Sequence, residues 1–435
     1  MPRDSTWRGL GARLGCVLVA CLVMACRAPI SGAGGDGARV KSQPDGAVRA
    51  TALHDVLLVG NSVGGTVSVI DGRTFNSLGH INVVPDFDVR MQEIKDNPVR
   101  RLAFKAIKDQ ETILHFEPAG GDRFVDDVFT SPDGTRLFVS RGNLGDIAAF
   151  DLTKTDFPII WRTLIDGYKA DHATISPDGH TIVVSASAAL FSPHAEVLDA
   201  GSGRVIGSFE TGLLPHQNDY SHNGQHIYNG SIGNLALPYA LRGIKGPIRL
   251  TVVDATTLKL VRSYRFDFGI RPTVIADNVS VTYAQLSYLN GLVKFDLTTG
   301  KIEHTLEEPL SEFAKANYPT KDDYPHNGAH HGLALSGDGE YLCDAGTIDN
   351  NVAIVRTADL TVAATLDVGL MPYWASTSID GQSCLLTISG ADAIAVIDYR
   401  AMVEVARVPV GKFPQRNRLG RLLESTIARL AADTQ

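Results

Sequence analysis

The stretch His172-Ala173-Thr174-Ile175-Ser176-Pro177-Asp178-Gly179-His180-Thr181-Ile182-Val183-Val184-Ser185-Ala186 sets two short apolar runs on either side of a turn. Pro177 presets φ for the turn and Gly179 supplies a positive φ, so the two runs are predicted to pair as antiparallel strands A (172–176) and B (181–186). A third run at 195–198 ends in Asp199. A turn at 199–203 then leads into a fourth at 204–209. Four short β-patterned runs separated by turn residues make one antiparallel unit.

The unit repeats along the chain. Its first mark recurs as Ser131-Pro132-Asp133-Gly134, Ser221-His222-Asn223-Gly224, Ser336-Gly337-Asp338-Gly339 and Ser378-Ile379-Asp380-Gly381, with a degenerate copy near Asp277-Asn278. Its second mark, an apolar run closed by Asp, ends at Asp71, Asp151, Asp199, Asp254, Asp296 and Asp398; one further run closes on Arg356. Seven closings at intervals of roughly 40 to 60 residues, longer where an insertion intervenes, match the period of propeller blades. The expected fold is therefore all-β, a seven-bladed β-propeller of four-stranded antiparallel blades. It should occupy residues 53–420, with a helical insertion at about 86–122 where the pattern Met91, Ile94, Leu102, Ala106 is broken by Pro98. The first copy has runs for B (56–59) and C (66–70) but none for A. The segment beginning Pro414-Gln415-Arg416 stands where an eighth strand A would begin, so it is predicted to close the ring and leave no sheet edge for another chain. On that ground a monomer is expected. Leu419, Leu422, Leu423, Ile427 and Leu430 suit one helical stripe, predicting a C-terminal helix over 421–435 that packs on the propeller.

With its Ser-Pro-Asp-Gly turns, its Val-Ile-Asp-type run endings and the linker Val408-Pro409-Val410-Gly411, the chain resembles the YVTN-type seven-bladed propeller repeat family over roughly residues 53–419. The resemblance implies the fold. It implies no single activity, since such propellers include enzymes and binding proteins.

The first 25 residues pair Arg3, Arg8 and Arg13 with an apolar run, as in a lipoprotein-type signal peptide. Cys26 is the expected lipidation site, with Cys21 as the alternative, followed by a flexible tether at 26–52; ordinary secretion is the competing reading. The protein is thus expected in a bacterial cell envelope, lipid-anchored on the extracytoplasmic side, touching membrane only through that anchor. A net charge of −8 and a pI near 5.9 offer no basic footprint for nucleic acid. Beyond the signal region only Cys343 and Cys384 remain. They fall in strand B of consecutive blades, four and three residues after their turn glycines, so their side chains point in opposite senses and a disulfide can span the blades. Two buried thiols are the alternative.

In a blade, the A–B and C–D turns share one face, and the B–C loops and blade connections share the other. The long departures, at 84–123, 187–193, 231–247 and 306–328, all fall on the second face, where function is expected. The residues opening each strand A lie there too, near the axis: Arg416, Asp126 with Asp127, Asp171 with His172, His216 with Asn218, Arg271, His330 with His331, and Tyr373 with Trp374. Three readings follow. His172, His216 and His331 could share a transition metal. Alternatively, Arg271, Arg416 and the histidines could bind an anion against Tyr373 and Trp374. The third reading has the ring satisfying itself and ordered water. The chain has too few axial histidines for the multinuclear copper cluster of the nitrous oxide reductase family. It lacks Cys-x-x-Cys-His, Gly-x-Ser-x-Gly and Walker patterns, so covalent haem, the α/β-hydrolase elbow and the P-loop are excluded. The expected role is binding of a small-molecule or protein ligand at the loop-rich face. A metal-dependent redox enzyme or an interaction scaffold is the alternative, and no catalytic residue is assigned.

Overall fold

The computed structural model describes residues 52–113, 122–188, 192–276 and 280–432. The predicted leader, both candidate lipidation cysteines and the degenerate turn at Asp277-Asn278 lie outside them. Seven four-stranded antiparallel sheets follow one another around a ring. Blade III, the type unit, is built from Ala170–Ile175, Thr181–Ala186, His194–Asp199 and Val205–Glu210. Blades II, IV, V, VI and VII are equally consecutive in sequence. Blade I is not. Its strands B, C and D are Leu53–Asn61, Thr66–Asp71 and Ser77–Asn82, and its strand A is Pro414–Leu423 from the far end of the chain.

The two repeated marks have separate jobs. In each Ser-x-Asp-Gly turn the Ser hydroxyl donates to the Asp or Asn side chain, as from Ser336 to Asp338 and Ser378 to Asp380, both at 2.6 Å. That oxygen also accepts a backbone N–H two residues on, for example from Glu340 or Gln382. The aspartate closing each strand C does the same for the C–D turn: Asp254 accepts from the N–H of Thr256 and Thr257, and Asp398 from Arg400 and Ala401. Where Arg356 closes the run, Asp359 accepts from Thr361 instead. Each motif is a side chain mimicking a turn of backbone.

Neighbouring blades are fastened near the axis by hydroxyls of one blade reaching carbonyls in strand A of the next. Ser140 donates to the Asp171 carbonyl at 2.6 Å, Ser185 to His216 at 2.7 Å, Thr347 to Pro372 at 2.8 Å and Ser389 to Pro414 at 2.6 Å. Cys343 and Cys384 form a disulfide between blades VI and VII, with Cα atoms 6.2 Å apart.

The insertion after blade I folds as α1, Phe87–Asp96, and α2, Pro98–Ile113, with Pro98 opening the second helix instead of breaking one. Arg90 of α1 reaches Asp146 at 2.8 Å, and Asp146 also holds Arg141 at 2.7 Å, so the helix is clamped to blade II by a largely buried ion network. A short helix, α3, spans Glu312–Asn317. The C-terminal helix, α4, spans Glu424–Ala432, three residues later than its predicted start. Leu419, Leu422 and Leu423 belong to the closing strand, because nine residues of strand B are there to be paired and each register position extends the ladder. Only Ile427 and Leu430 keep the helical placement, packed on the blade I core. Gly79, at φ +132, leaves room for Leu430, whose Cβ would lie 3.2 Å from a Cβ built at Gly79. Among the described residues no helix is long and apolar enough to cross a membrane.

Candidate functional site

The innermost strands of blades I, III, IV, V and VII share a distortion. Opposite two-residue steps in strand B, strand A takes three, from Ala170 to Ala173, Pro215 to Asn218, Ile270 to Thr273 and Pro372 to Ala375. Blade I has the same extra residue between Pro414 and Arg416. A bulge of this kind re-aims side chains. The residues it re-aims are Asp171 and His172, His216 and Gln217, Arg271, Tyr373 and Trp374, and Gln415, with Arg416 at its edge.

Three imidazoles meet at the axis. His172 Nε2 lies 3.0 Å from His216 Nε2, and the His331 ring centroid is 5.4 Å from that of His216 and 6.4 Å from that of His172. Tyr373 stacks on His331 at 4.1 Å with the planes 16° apart, and the Arg416 guanidinium lies over the Trp374 ring at 3.2 Å. All are buried. Burial first, then the positive charge of Arg271, holds His216 well below the usual histidine range. His331 is lowered by burial, then by His216 and Arg271. Both are therefore neutral. Their Nδ1 atoms, and Nη1 of Arg416, are buried with no hydrogen-bond partner among the described residues.

Arg271 has no hydrogen-bonded carboxylate among the described residues, and Asp171 reaches it only through its charge. It is 1% exposed; its Nε donates to Ser287 at 3.2 Å and its Nη2 to the carbonyl of His326. Burial lowers its pKa to about 10. Arg416 is better supplied, with Asp127 3.6 Å from its Nε, yet burial still lowers it to about 9. Asp126, 3.9 Å from His172, is raised to about 7 by burial and then by Asp171.

Not every predicted residue faces this centre. Asn218 bonds the carbonyl of His172, Ser185 and Asn229, which makes it a fastener between blades. Asp127 is spent on Arg418, at 2.9 and 3.1 Å. His330 turns back between blades V and VI toward Asp344 and Asn290. Conversely, Arg123 and His326 come in from the long connections before blades II and VI. Arg123 hydrogen-bonds Tyr373 and contributes positive charge at His216 and His331, and His326 adds to the lowering of both. Their signal in the sequence was only that a cationic residue ended one long connection and a His-rich stretch ended the other.

On the A–B turn side of Trp374 the axis widens into a cavity of about 950 Å³, lined among others by Gln217, Asp219, Tyr283, Ser376 and Arg418. This cavity thus lies on the face opposite the long connections, and the bulge residues form the layer between it and them.

The metal reading can be tested on the donor set. One nitrogen from each of His172, His216 and His331 lies within 4.8 Å of the others, so the trio has the span to share an ion. Arg416, however, donates to Nδ1 of His172. That leaves the His172 proton on Nε2, the nitrogen that faces His216 and would have to give its lone pair to a metal. Arg271, Arg123 and Arg416 around the trio further disfavour a cation. The fit is poor.

Comparison with known proteins adds the fold and nothing finer. No family model matches the chain, and no curated protein sequence matches it. Among solved structures it is similar to a chain of hydrazine synthase from Kuenenia stuttgartiensis, with 16% identity, a TM-score of 0.57, and coverage of 80% of this chain and 93% of that one. At that identity the likeness is one of architecture, shared with 1627 matching chains, and transfers no chemistry.

Proposed function

We propose that the protein is an extracytoplasmic propeller, tethered by a lipidated cysteine, that binds a small anionic ligand at its axis. The observation carrying this reading is Arg271, a buried guanidinium that no carboxylate among the described residues bonds, with Asp171 acting on it only through its charge. An uncompensated buried charge costs several kcal/mol, which a ligand carboxylate or phosphate would recover by accepting from it. Neutral His216 and His331 offer N–H donors beside it, and the Tyr373–His331 stack gives a flat wall for the rest of a small molecule. Entry through the 950 Å³ cavity fits the position of Gln217 and Trp374 on the boundary between cavity and site. The Cys343–Cys384 disulfide is in keeping with an oxidising compartment. A redox enzyme built on the three imidazoles is the second reading, supported by their spacing and opposed by Arg416.

The test is thermal stabilisation by a panel of small carboxylates and phosphates. A ligand at one hundred times its Kd stabilises by about 2.7 kcal/mol, which a melting shift reads directly. Arg271→Ala is expected to abolish the shift and Arg271→Lys to retain part of it. A shift unchanged in Arg271→Ala would refute the anion site. A stoichiometric metal lost with His331→Ala would install the second reading in its place.

A further inference from the structure

Although adjacent in sequence, His330 and His331 serve different places. The His330 ring sits between blades V and VI, with Nδ1 2.8 Å from Asp344 Oδ1 and Nε2 3.1 Å from Asn290 Oδ1. Glu308, just after strand D of blade V (Lys301–Glu307), brings its carboxylate to the same point. One donor atom each from Glu308, His330 and Asp344 lies within 4.8 Å of the other two. Glu308 is 9% exposed and Asp344 wholly buried, yet among the described residues Oε1 of the first and Oδ2 of the second have no hydrogen-bond partner. Asp349, also buried, adds a further negative charge close by. A single imidazole facing two buried carboxylates leaves oxygen lone pairs unsatisfied at a place water reaches poorly.

We propose that Glu308, His330 and Asp344 form a binding site for one divalent first-row ion of the zinc or manganese kind, distinct from the axial site. One imidazole nitrogen with carboxylate oxygens suits such ions, whereas calcium prefers an all-oxygen shell. The ion takes the place of the proton between His330 Nδ1 and Asp344. Nε2–H then donates to Asn290 Oδ1, the outer contact that fixes the tautomer and orientation of a metal-bound imidazole. Asn290 is itself held, its Nδ2 donating to the Glu308 carbonyl at 3.0 Å, so its oxygen stays turned toward the ring. Two carboxylates and a neutral imidazole balance the dication. Glu308 opens and His330 follows the long connection that also carries His326, whose carbonyl binds Arg271. The ion would therefore staple both ends of the loop that supports the axial arginine.

The experiment uses the full chain, stripped with a chelator and titrated with Zn²⁺, Mn²⁺ or Ca²⁺ alone by calorimetry, with elemental analysis of the reloaded protein. One zinc or manganese per chain is expected, retained in His216→Ala, with no saturable calcium binding. Glu308→Gln is expected to weaken binding at least about tenfold, and Asn290→Ala about tenfold through the outer contact. Asp344 also holds Gln285, so Asp344→Asn tests the fold as well as the site. Glu308→Gln, whose Oε1 has no hydrogen bond to lose, is the deciding variant. Absence of saturable zinc or manganese binding, wild-type affinity in Glu308→Gln, or an ion lost with His216→Ala but kept in Glu308→Gln would each overturn the proposal. None of these outcomes bears on whether Arg271 binds an anion.

Discussion

Breaking the bridge between Cys343 and Cys384 should lower the stability of the whole ring by about 4 kcal/mol. The two residues are 41 apart in sequence. In the chain-entropy account, closing a loop of that size removes about 13 cal/mol/K from the unfolded ensemble, or about 4 kcal/mol at 25 °C. Both cysteines are fully buried in a cluster with Ile354, Leu386 and Ile397. Reductant added to folded protein will therefore act slowly, and the comparison has to be made on chains refolded from denaturant with and without it. The readout is the unfolding free energy from denaturant titration, with alkylation and peptide mass mapping showing whether Cys343 and Cys384 are free. Cys343→Ala/Cys384→Ala should match the reduced wild type, less a further loss of about 1 kcal/mol for the smaller side chains. Equal stability of oxidised and reduced chains within about 0.5 kcal/mol, or alkylation of Cys343 and Cys384 themselves in protein refolded under oxidising conditions, would refute the reasoning. The second result would also remove a support for the extracytoplasmic assignment.

Two further outcomes follow from the ring and from the axis. Leu422, wholly buried in the blade I core, should cost about 2 to 5 kcal/mol on Leu422→Ala, and a chain ending before Pro414 should lose its cooperative melting altogether, since it leaves the inner edge of strand B of blade I unpaired; unchanged melting in the truncated chain would contradict closure. Burial and then Asp171 raise the Asp126 carboxyl to about 7, so the folded state keeps a proton that the unfolded chain releases near pH 4. Stability from this group therefore falls as the pH climbs from about 4 to about 7, and Asp126→Asn should flatten that part of the profile, as read by denaturant midpoints across the range.

The fold was legible because its signals are local. A hydroxyl two residues before a carboxylate and a glycine after it make a turn whatever surrounds them, and seven closings could be counted without knowing how blades meet. Ring closure needed one more step, the mismatch between an incomplete first copy and a surplus last strand. The C-terminal helix shows where local signals fail. Leu419, Leu422 and Leu423 fit a helical stripe, but strand B of blade I offers them nine residues of hydrogen-bonding partners, and tertiary pairing overrides a period read from so few positions.

The site was legible in its membership more than in its geometry, and the bulge is the reason. In a regular strand successive side chains alternate, so of Asp171 and His172, or Tyr373 and Trp374, only one should face the axis. The extra residue in strand A lets such neighbours share the axial layer, and nothing in the composition of those dipeptides announces it. The same rule explains the split at His330 and His331, where strand A begins only at Leu333 and the two imidazoles part, one to the axis and one to Asp344. Arg271 gains its significance from an absence that only three dimensions reveal. Its neighbour in sequence is Pro272, its hydrogen-bond partners are a hydroxyl and a carbonyl, and the nearby carboxylates bond elsewhere: Asp127 binds Arg418, and Asp171 lies beside His172 and acts on Arg271 through its charge alone. The chain pairs Arg418 with Asp127 closely yet gives Arg271 no hydrogen-bonded carboxylate among the described residues, and in the function proposed above an anionic ligand from outside would supply that partner.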